Sequence, residues 1–311
     1  MRIQSRLSSK SRIIADFSLL MAALLWGSSF AAQRAAALSG GVYFYNGVRF
    51  LLGAFLLLPL YGYTKPNLKQ TSRSTWLWGV MAGLFLFLGS SFQQVGLQFT
   101  TAANAGFITG LYVVIIPFIL AFVYHRSPRN IIWVGSFVSI FGMFLLSTGG
   151  KLALSKGDGW ELIGAFIWAG HVLVIDRVTH HLDLSILAIL QSATCGILSL
   201  SLGIFYEHAT FSNLSGIWWA VIWTAVASIA LGFTLQAFGQ KVAPAADAAI
   251  ILCLESVFAA IFGWVMLKES LTLIQIIGAL LMFSAMIMVQ VSHIKNDSYK
   301  IEEMNKSNEI I

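Results

Sequence analysis

The sequence predicts an all-α polytopic membrane protein, with ten transmembrane helices arranged as two inverted five-helix repeats and both termini in the cytosol. Three observations predict this fold class. The chain has too few charges for a soluble surface, its apolar stretches have the length that crosses a membrane, and it resembles itself at one nearly constant offset.

Charged residues make up only 10% of the 311-residue chain, whereas 58% are hydrophobic and the mean hydropathy is +0.80. A soluble globular domain usually carries about 25% charged residues. The net charge of +6 does not indicate a nucleic-acid partner, because the basic residues lie in short gaps between apolar runs. Cys195 and Cys253 lie inside apolar runs without metal-ligand spacing, so we expect neither a disulfide nor a metal site.

Polar breaks divide the chain into apolar stretches of about 20 residues, which cross roughly 30 Å of hydrocarbon. They predict ten helices, over residues 14–37, 42–63, 76–99, 102–124, 130–148, 159–178, 184–206, 216–239, 244–267 and 271–292. The segments Gly96–Asn104 and Gly239–Asp247 are predicted as tight turns inside long apolar regions, so counts of nine or eleven stay open. The first apolar run is too long for a cleaved signal peptide and is interpreted as an uncleaved helix.

The distribution of basic residues predicts the orientation. With the N-terminus in the cytosol, most of the 19 Lys and Arg residues fall in cytosolic segments, as the positive-inside rule requires. Arg49 remains inside the membrane, and the outer side holds Arg34, Lys151, Lys156 and Lys268. A multi-pass protein of the bacterial cytoplasmic (inner) membrane is therefore expected.

An internal repeat appears at an offset of 143 residues, where Gln93 matches Gln236 and Gly89 matches Gly232. Trp26 matches Trp168 at 142. A repeat of five helices inverts its second copy, an arrangement common in secondary transporters. The predicted segments are a basic N-terminus (1–13), a first repeat (14–149), a connecting loop (150–156), a second repeat (157–292) and a polar cytosolic tail (293–311).

Local motifs resemble the EamA-type transporters of the drug/metabolite transporter superfamily. The motifs are Trp26-Gly27-Ser28-Ser29-Phe30, Arg49-Phe50, Leu254-Glu255-Ser256-Val257-Phe258, and Lys268-Glu269. Ser256 stands where the family usually has proline, and His125-Arg126 replaces an acidic residue often found after the fourth helix. The resemblance implies transport of small metabolites, often export, without ATP hydrolysis.

Arg49 and Glu255 are charged residues that fall well inside predicted helices. A charge near the middle of the bilayer costs at least about 2.5–3.5 kcal/mol on insertion scales, so it suggests a functional site. Glu255 could bind a cationic group or carry a coupling proton, or it could be a structural acid inside the bundle. Arg49 could hold a substrate carboxylate, or it could form an ion pair that locks helices together, with Glu255 as a candidate partner.

Neutral residues form a second group of candidates for contact with a substrate. His171 could relay protons, although a lone histidine is more often a hydrogen-bonded packing residue. Amide side chains could line a cavity or join neighbouring helices; these are Asn46, Gln93 and Gln236. Aromatic side chains could form a cavity wall; these are Trp26, Trp168 and Tyr112.

The leading function is a secondary transporter that exports small metabolites, such as amino acids or related amphipathic compounds, by alternating access. A lipid or precursor flippase of the same fold is the first alternative. A membrane-embedded lipid enzyme is the second, and its candidate residues are Asp176, His180, His181 and Asp183. No phosphate-binding loop of an ATPase and no metalloprotease motif occurs, so no catalytic residue and no cofactor are expected, apart from a coupling proton. The expected partners are a small-molecule substrate and the bilayer, and the choice between monomer and homodimer stays open.

Overall fold

A computed structural model describes residues 9–39, 41–66, 73–149, 155–267 and 271–308. Every regular element in these ranges is helical. The α-helices of the first half are α1 (Ser9–Ser39), α2 (Val42–Leu56), α3 (Leu58–Thr64), α4 (Arg73–Gly96), α5 (Ala102–Thr109), α6 (Tyr112–Phe118) and α7 (Asn130–Thr148). Those of the second half are α8 (Asp158–Val178), α9 (Leu184–Phe205), α10 (Trp218–Trp223), α11 (Phe233–Gln240), α12 (Ala245–Leu252), α13 (Glu255–Leu267) and α14 (Leu273–Asn308).

Within the described residues, nine helical stretches are long and apolar enough to cross a membrane. The predicted sixth span, α8, is a helix of 21 residues that carries Asp158, Glu161, Asp176 and Arg177 near its ends and is not among these nine. Many large apolar side chains, such as Phe55, Phe137 and Leu280, are exposed on the bundle surface, as expected of a surface that contacts lipid. The chain is a multi-pass integral membrane protein.

Several predicted helices are interrupted. The second bends at Leu57, just before Pro59, and the eighth is wound as a π-helix over Thr224–Gly232 between α10 and α11. The fourth and ninth spans are each cut into two α-helices, α5–α6 and α12–α13, and a further π-helical turn (Ile119–Val123) follows α6. The last helix continues beyond the predicted end at residue 292 to Asn308. Hydrophobicity alone could not reveal these changes, because the apolar pattern continues through them.

The helices pack in pairs that join equivalent positions of the two predicted repeats. α2 lies along α9, and α7 lies along α14. Small residues allow these close approaches: a Cβ on Gly47 would meet the backbone of Leu200 at 2.5 Å, and a Cβ on Gly142 would meet the carbonyl oxygen of Gly278 at 2.7 Å. Two further pairs correspond to each other in the repeat: α4 packs on α8, and α1 packs on α11 and on the π-helical segment Thr224–Gly232.

One end of the bundle is closed by charged side chains. The Arg12 guanidinium donates to Asp16 at 2.9 Å, to Asp247 at 2.9 Å and to Gln290 at 3.3 Å. These contacts join the start of α1 to α12 and α14.

Candidate substrate-binding cavity

A cavity lies at the centre of the bundle, among helices of both halves. Ligand-binding cavities are typically lined by apolar and aromatic side chains with a few polar groups, and this cavity has such a lining. Of the predicted candidates, those that line the cavity are Trp26, Arg49, Gln93, Tyr112, Trp168, Gln236 and Glu255. Asn46 and His171 lie behind this wall and contact residues that line it.

Aromatic rings form one wall of the cavity around Phe233. The centroid of the Trp26 ring lies 5.0 Å from that of Phe233, and the ring of Trp168 is stacked on Phe233 at 6.1 Å. Trp26 Nε1 donates to the carbonyl oxygen of Ser228 at 3.1 Å, which fixes the orientation of the indole. Phe50 lies 6.2 Å from Phe233. The wall is therefore large, apolar and rigid.

Two glycines make room for the two tryptophans. A Cβ on Gly89 would lie 3.0 Å from the ring of Trp168, and a Cβ on Gly232 would lie 2.5 Å from Trp26 Nε1. These are the glycine and tryptophan pairs that match between the repeats, so the same contact occurs twice, each time between a glycine of one half and a tryptophan of the other. The repeat brings both tryptophans to the cavity.

Arg49 is 2% exposed and lines the cavity, and no carboxylate in the described part of the chain forms an ion pair with it. Its Nε donates to Asn46 Oδ1 at 3.0 Å, and Asn46 in turn donates to the carbonyl oxygen of Ser90 at 3.2 Å. The guanidinium carbon lies 4.9 Å from the ring centroids of both Tyr45 and Phe50. Among the described residues, no ion pair joins Arg49 to Glu255, the candidate partner considered from the sequence.

Glu255 is the first residue of α13, directly after the break in the ninth span. Its Oε1 accepts a hydrogen bond from the Tyr112 hydroxyl at 3.3 Å, and Tyr112 is the first residue of α6, directly after the break in the fourth span. The two residues are 143 positions apart, so equivalent residues of the repeats meet here. Discontinuous helices near the middle of the membrane are a recurrent feature of transporter binding sites.

The two breaks have the same backbone geometry. In the fourth span, the N–H of Leu111 bonds to Ile108 O at 3.1 Å, three residues back, as in a 3₁₀ turn. In the ninth span, the N–H of Leu254 bonds to Ile251 O, also at 3.1 Å. Ser256, which replaces the proline of the family motif, donates from its hydroxyl to Gly106 O at 2.9 Å and so ties α13 to α5.

His171 is fully buried behind the aromatic wall. A hydrogen bond of 3.0 Å joins its Nε2 to Gln191 Oε1, and its ring meets those of Trp168 and Phe233 edge-on at 5.7 Å. The imidazole supports the wall. The amide of Gln236 lines the cavity, and its Oε1 has no hydrogen-bond partner among the described residues, so it is available to a ligand.

The sequence-based candidates did not include Glu161, another buried acidic residue. Glu161 is fully buried in the first turn of α8, and its Oε2 accepts from the Thr109 hydroxyl at 3.3 Å. Thr109 lines the cavity and accepts from Gln93 Nε2 at 3.2 Å. In the sequence, Glu161 is an acidic residue inside an apolar stretch. It lies near the end of a predicted helix, however, where a charged residue is expected to contact the membrane surface.

The residues considered for a lipid enzyme form no buried cluster. Asp183 caps α9 by accepting from the Ser185 N–H at 2.9 Å, and His180 and His181 are exposed. The guanidinium of Arg177 lies 5.1 Å from the ring of Trp78 beside them. Within the described ranges, no group of three or more His, Cys, Asp or Glu side chains could hold a metal ion.

Comparison with known proteins gives a consistent result. The sequence model of the EamA-like transporter family matches residues 13–148 and 155–291. An uncharacterized transporter of Archaeoglobus fulgidus is 34% identical over 89% of this chain and 86% of its own length. The inner membrane transporter YedA of Escherichia coli is 27% identical over 62% of this chain and 63% of its own. A protein of known crystal structure superposes with a TM-score of 0.75 at 17% identity, over 92% of this chain and 98% of its own, which shows the fold alone.

Proposed function

This chain belongs to the EamA-like transporter family, and we propose that it exports small zwitterionic metabolites, such as amino acids with apolar side chains, by alternating access. The observation that carries the proposal is the pair of opposite charges at the cavity. Arg49 and Glu255 are both buried and both line it, and no ion pair joins them among the described residues.

Buried charges of this kind require a partner. Leaving one unpaired away from water is costly, and a substrate that carries both charges would satisfy both sites at once. The Arg49 guanidinium offers several donors to a carboxylate, with its Nε held by Asn46. The Glu255 carboxylate would accept from an ammonium group, and the wall of Trp26, Phe233 and Trp168 would contact the apolar part.

Alternating access is supported by the architecture. Equivalent helices of the two repeats pack on one another, and the breaks in the fourth and ninth spans lie at equivalent positions beside the cavity. In transporters with inverted repeats, one half rocks against the other about a site near the midplane. We place both termini in the cytosol because of the basic residues near them, and the protein in the cytoplasmic (inner) membrane.

The proposal is tested with the purified full chain in proteoliposomes. Counterflow of radiolabelled leucine and phenylalanine is measured, with lysine and glutamate as singly charged controls. We expect exchange of the zwitterions and little of the controls, because each control leaves an excess charge at the cavity. Arg49→Gln should lower counterflow about 30-fold or more, since losing one partner of a buried charge pair costs roughly 2–5 kcal/mol. Equal exchange by Arg49→Gln and the unmodified protein would refute the assigned site.

The flippase alternative is tested on the same vesicles with a fluorescent lipid and a membrane-impermeant quencher. Quenching of the inner-leaflet lipid that depends on the protein, together with no counterflow of either amino acid, would replace the proposal by lipid translocation.

A further inference from the structure

We propose that Glu161 is a proton-binding site that couples proton movement to transport by changing the hydrogen bonds that Gln93 presents to the cavity. This inference rests on the proposed transport function but concerns a different residue, outside the charged pair that would hold the substrate. Its basis is a fully buried carboxyl group joined to the cavity by a short chain of hydrogen bonds.

The carboxyl group of Glu161 is only partly satisfied. Oε2 accepts from the Thr109 hydroxyl, whereas Oε1 is buried and has no hydrogen-bond partner among the described residues. The group is packed against the end of α4, where a Cβ on Gly96 would lie 2.6 Å from Oε1. A buried oxygen without a donor is costly for a carboxylate, and a proton on the group removes most of that cost.

Few charges face this carboxyl group from the elements packed against it. Asp158 lies one turn earlier on α8 and accepts from Thr100 on the α4–α5 turn at 2.6 Å. From α1, Arg34 donates to the carbonyl oxygen of Leu97, and no ion pair joins it to Glu161 among the described residues. α4 and α5 offer the neutral groups Gln93 and Thr109.

Asp158 provides the polar connection to the end of the bundle. Asp158 also accepts from the backbone N–H and the hydroxyl of Ser155, both at 2.7 Å, and these donors stabilise its ionised form. A negative charge on Asp158 favours the protonated form of Glu161, as burial does, whereas the N-terminus of α8 favours the ionised form.

The second half shows that the fold does not need an acid at this position. The counterpart of Gly96 is Gly239, and a Cβ there would meet the Leu19 side chain at 2.5 Å. Leu19 is offset from Glu161 by the same 142 residues that separate the two cavity tryptophans. An apolar side chain fills the equivalent site, so a carboxyl group that costs insertion energy indicates a functional role.

Protonation would reverse the direction of the hydrogen-bond chain. With Glu161 ionised, the Thr109 hydroxyl donates to Glu161 and accepts from the Gln93 amide NH₂, as observed. With Glu161 protonated, its O–H donates to Thr109, whose own hydrogen is then free to be donated to the Gln93 carbonyl oxygen. The Gln93 amide would turn and present its NH₂ to the cavity. One proton is bound and later released, with no other bond made or broken.

The first test uses leucine and phenylalanine in proteoliposomes with an imposed pH gradient. We expect Glu161→Gln to keep counterflow without a gradient but to lose gradient-driven accumulation by roughly tenfold or more. Glu161→Asp should retain part of it, and Thr109→Val, which removes the connecting hydroxyl at nearly constant volume, should lower it. Gradient-driven accumulation at the unmodified level in Glu161→Gln, or accumulation driven by a sodium gradient at constant pH, would overturn the inference.

The second test needs no substrate. Dicyclohexylcarbodiimide modifies protonated carboxyl groups in apolar surroundings, and mass spectrometry locates the modified peptide. We expect modification of Glu161 that increases as the pH falls, and none at Glu207, which accepts from the backbone N–H groups of Tyr43 and Phe44. Absence of pH-dependent modification at Glu161 would overturn the inference even if Glu161→Gln fails to fold. If Glu161 is modified but neither amino acid is exchanged, the substrate proposal fails and the proton site stands.

Discussion

Gly89 of the first half lies against Trp168 of the second, and Gly232 of the second half lies against Trp26 of the first, so the same contact is built twice. The polar side chains between these contacts differ. Tyr112 in the first half corresponds to Glu255 in the second, and Thr109 corresponds to Leu252. The repeated glycines and aromatic rings shape the cavity. The polar residues differ between the halves, so the charge in the cavity is distributed unequally.

The largest expected difference between the halves is at Tyr112 and Glu255. Glu255→Gln should reduce zwitterion counterflow by about a hundredfold, because it leaves the ammonium group without its charged partner. Tyr112→Phe removes one neutral donor and should reduce it only several-fold, as expected for about 1 kcal/mol. Both variants are compared at equal reconstituted protein. Losses of similar size would mean that the pair acts as one unit and that the acid has no separate role.

The next contrast is between the two glycines beneath the tryptophans. Gly232→Ala should lower the thermal midpoint in detergent more than Gly89→Ala, because its Cβ would lie 2.5 Å from Trp26 Nε1 whereas that of Gly89 would lie 3.0 Å from Trp168. Overpacking of this kind costs typically about 1–3 kcal/mol. Gly62→Ala is the control, since its Cβ would meet nothing within 4 Å. A larger decrease of the thermal midpoint in Gly89→Ala would show that the surroundings of Gly232 accommodate the added methyl group better.

A smaller difference is expected between the matching glutamines. Gln236→Leu should raise the KM for leucine several-fold with little change in the thermal midpoint, because its Oε1 has no hydrogen-bond partner among the described residues to lose. Gln93→Leu removes the Thr109 contact and should also alter the dependence of uptake on the pH gradient. Identical pH profiles for the two variants would contradict the asymmetry between the halves.

The smallest effect concerns Ser256, where this chain departs from the motif it resembles. Ser256→Ala removes the hydrogen bond to Gly106 O and should lower stability by about 1 kcal/mol, measured as a shift of the thermal midpoint. Ser201→Ala is a matched control, because that exposed hydroxyl bonds only within its own helix, to Ile197 O. Equal shifts in the two variants would mean that the contact between α5 and α13 contributes nothing measurable.

Much of this architecture could be predicted from the sequence because the bilayer imposes strict requirements. The approximate positions of the helices followed from apolar length, and both turns came where predicted, between α4 and α5 and between α11 and α12. The cost of charge in lipid pointed to Arg49 and Glu255, and the repeat pointed to the tryptophans and glutamines of the cavity.

The features that could not be predicted depend on local backbone and side-chain geometry, which leaves no recognisable pattern in the sequence. The breaks after Thr109 and Leu252 shift a few backbone hydrogen bonds from four residues to three, which leaves the hydrophobic periodicity unchanged. The Arg49 guanidinium donates a hydrogen bond to the neutral side chain of Asn46, whereas the sequence suggested the acid Glu255 as its partner. The burial of Glu161 could not be predicted, because a position near a helix end does not reveal how completely the neighbouring turn covers the side chain.

The packing of α1 on helices of the second half, and of α8 on α4 of the first, has a consequence for biosynthesis. α1 packs mainly on α10 to α13, and Arg12 contacts Asp247 and Gln290, so α1 is translated well before its partners. The nascent first half therefore remains incompletely assembled in the membrane until those helices have been translated. Neither half is expected to be stable when expressed alone, whereas the two co-expressed as separate polypeptides should assemble.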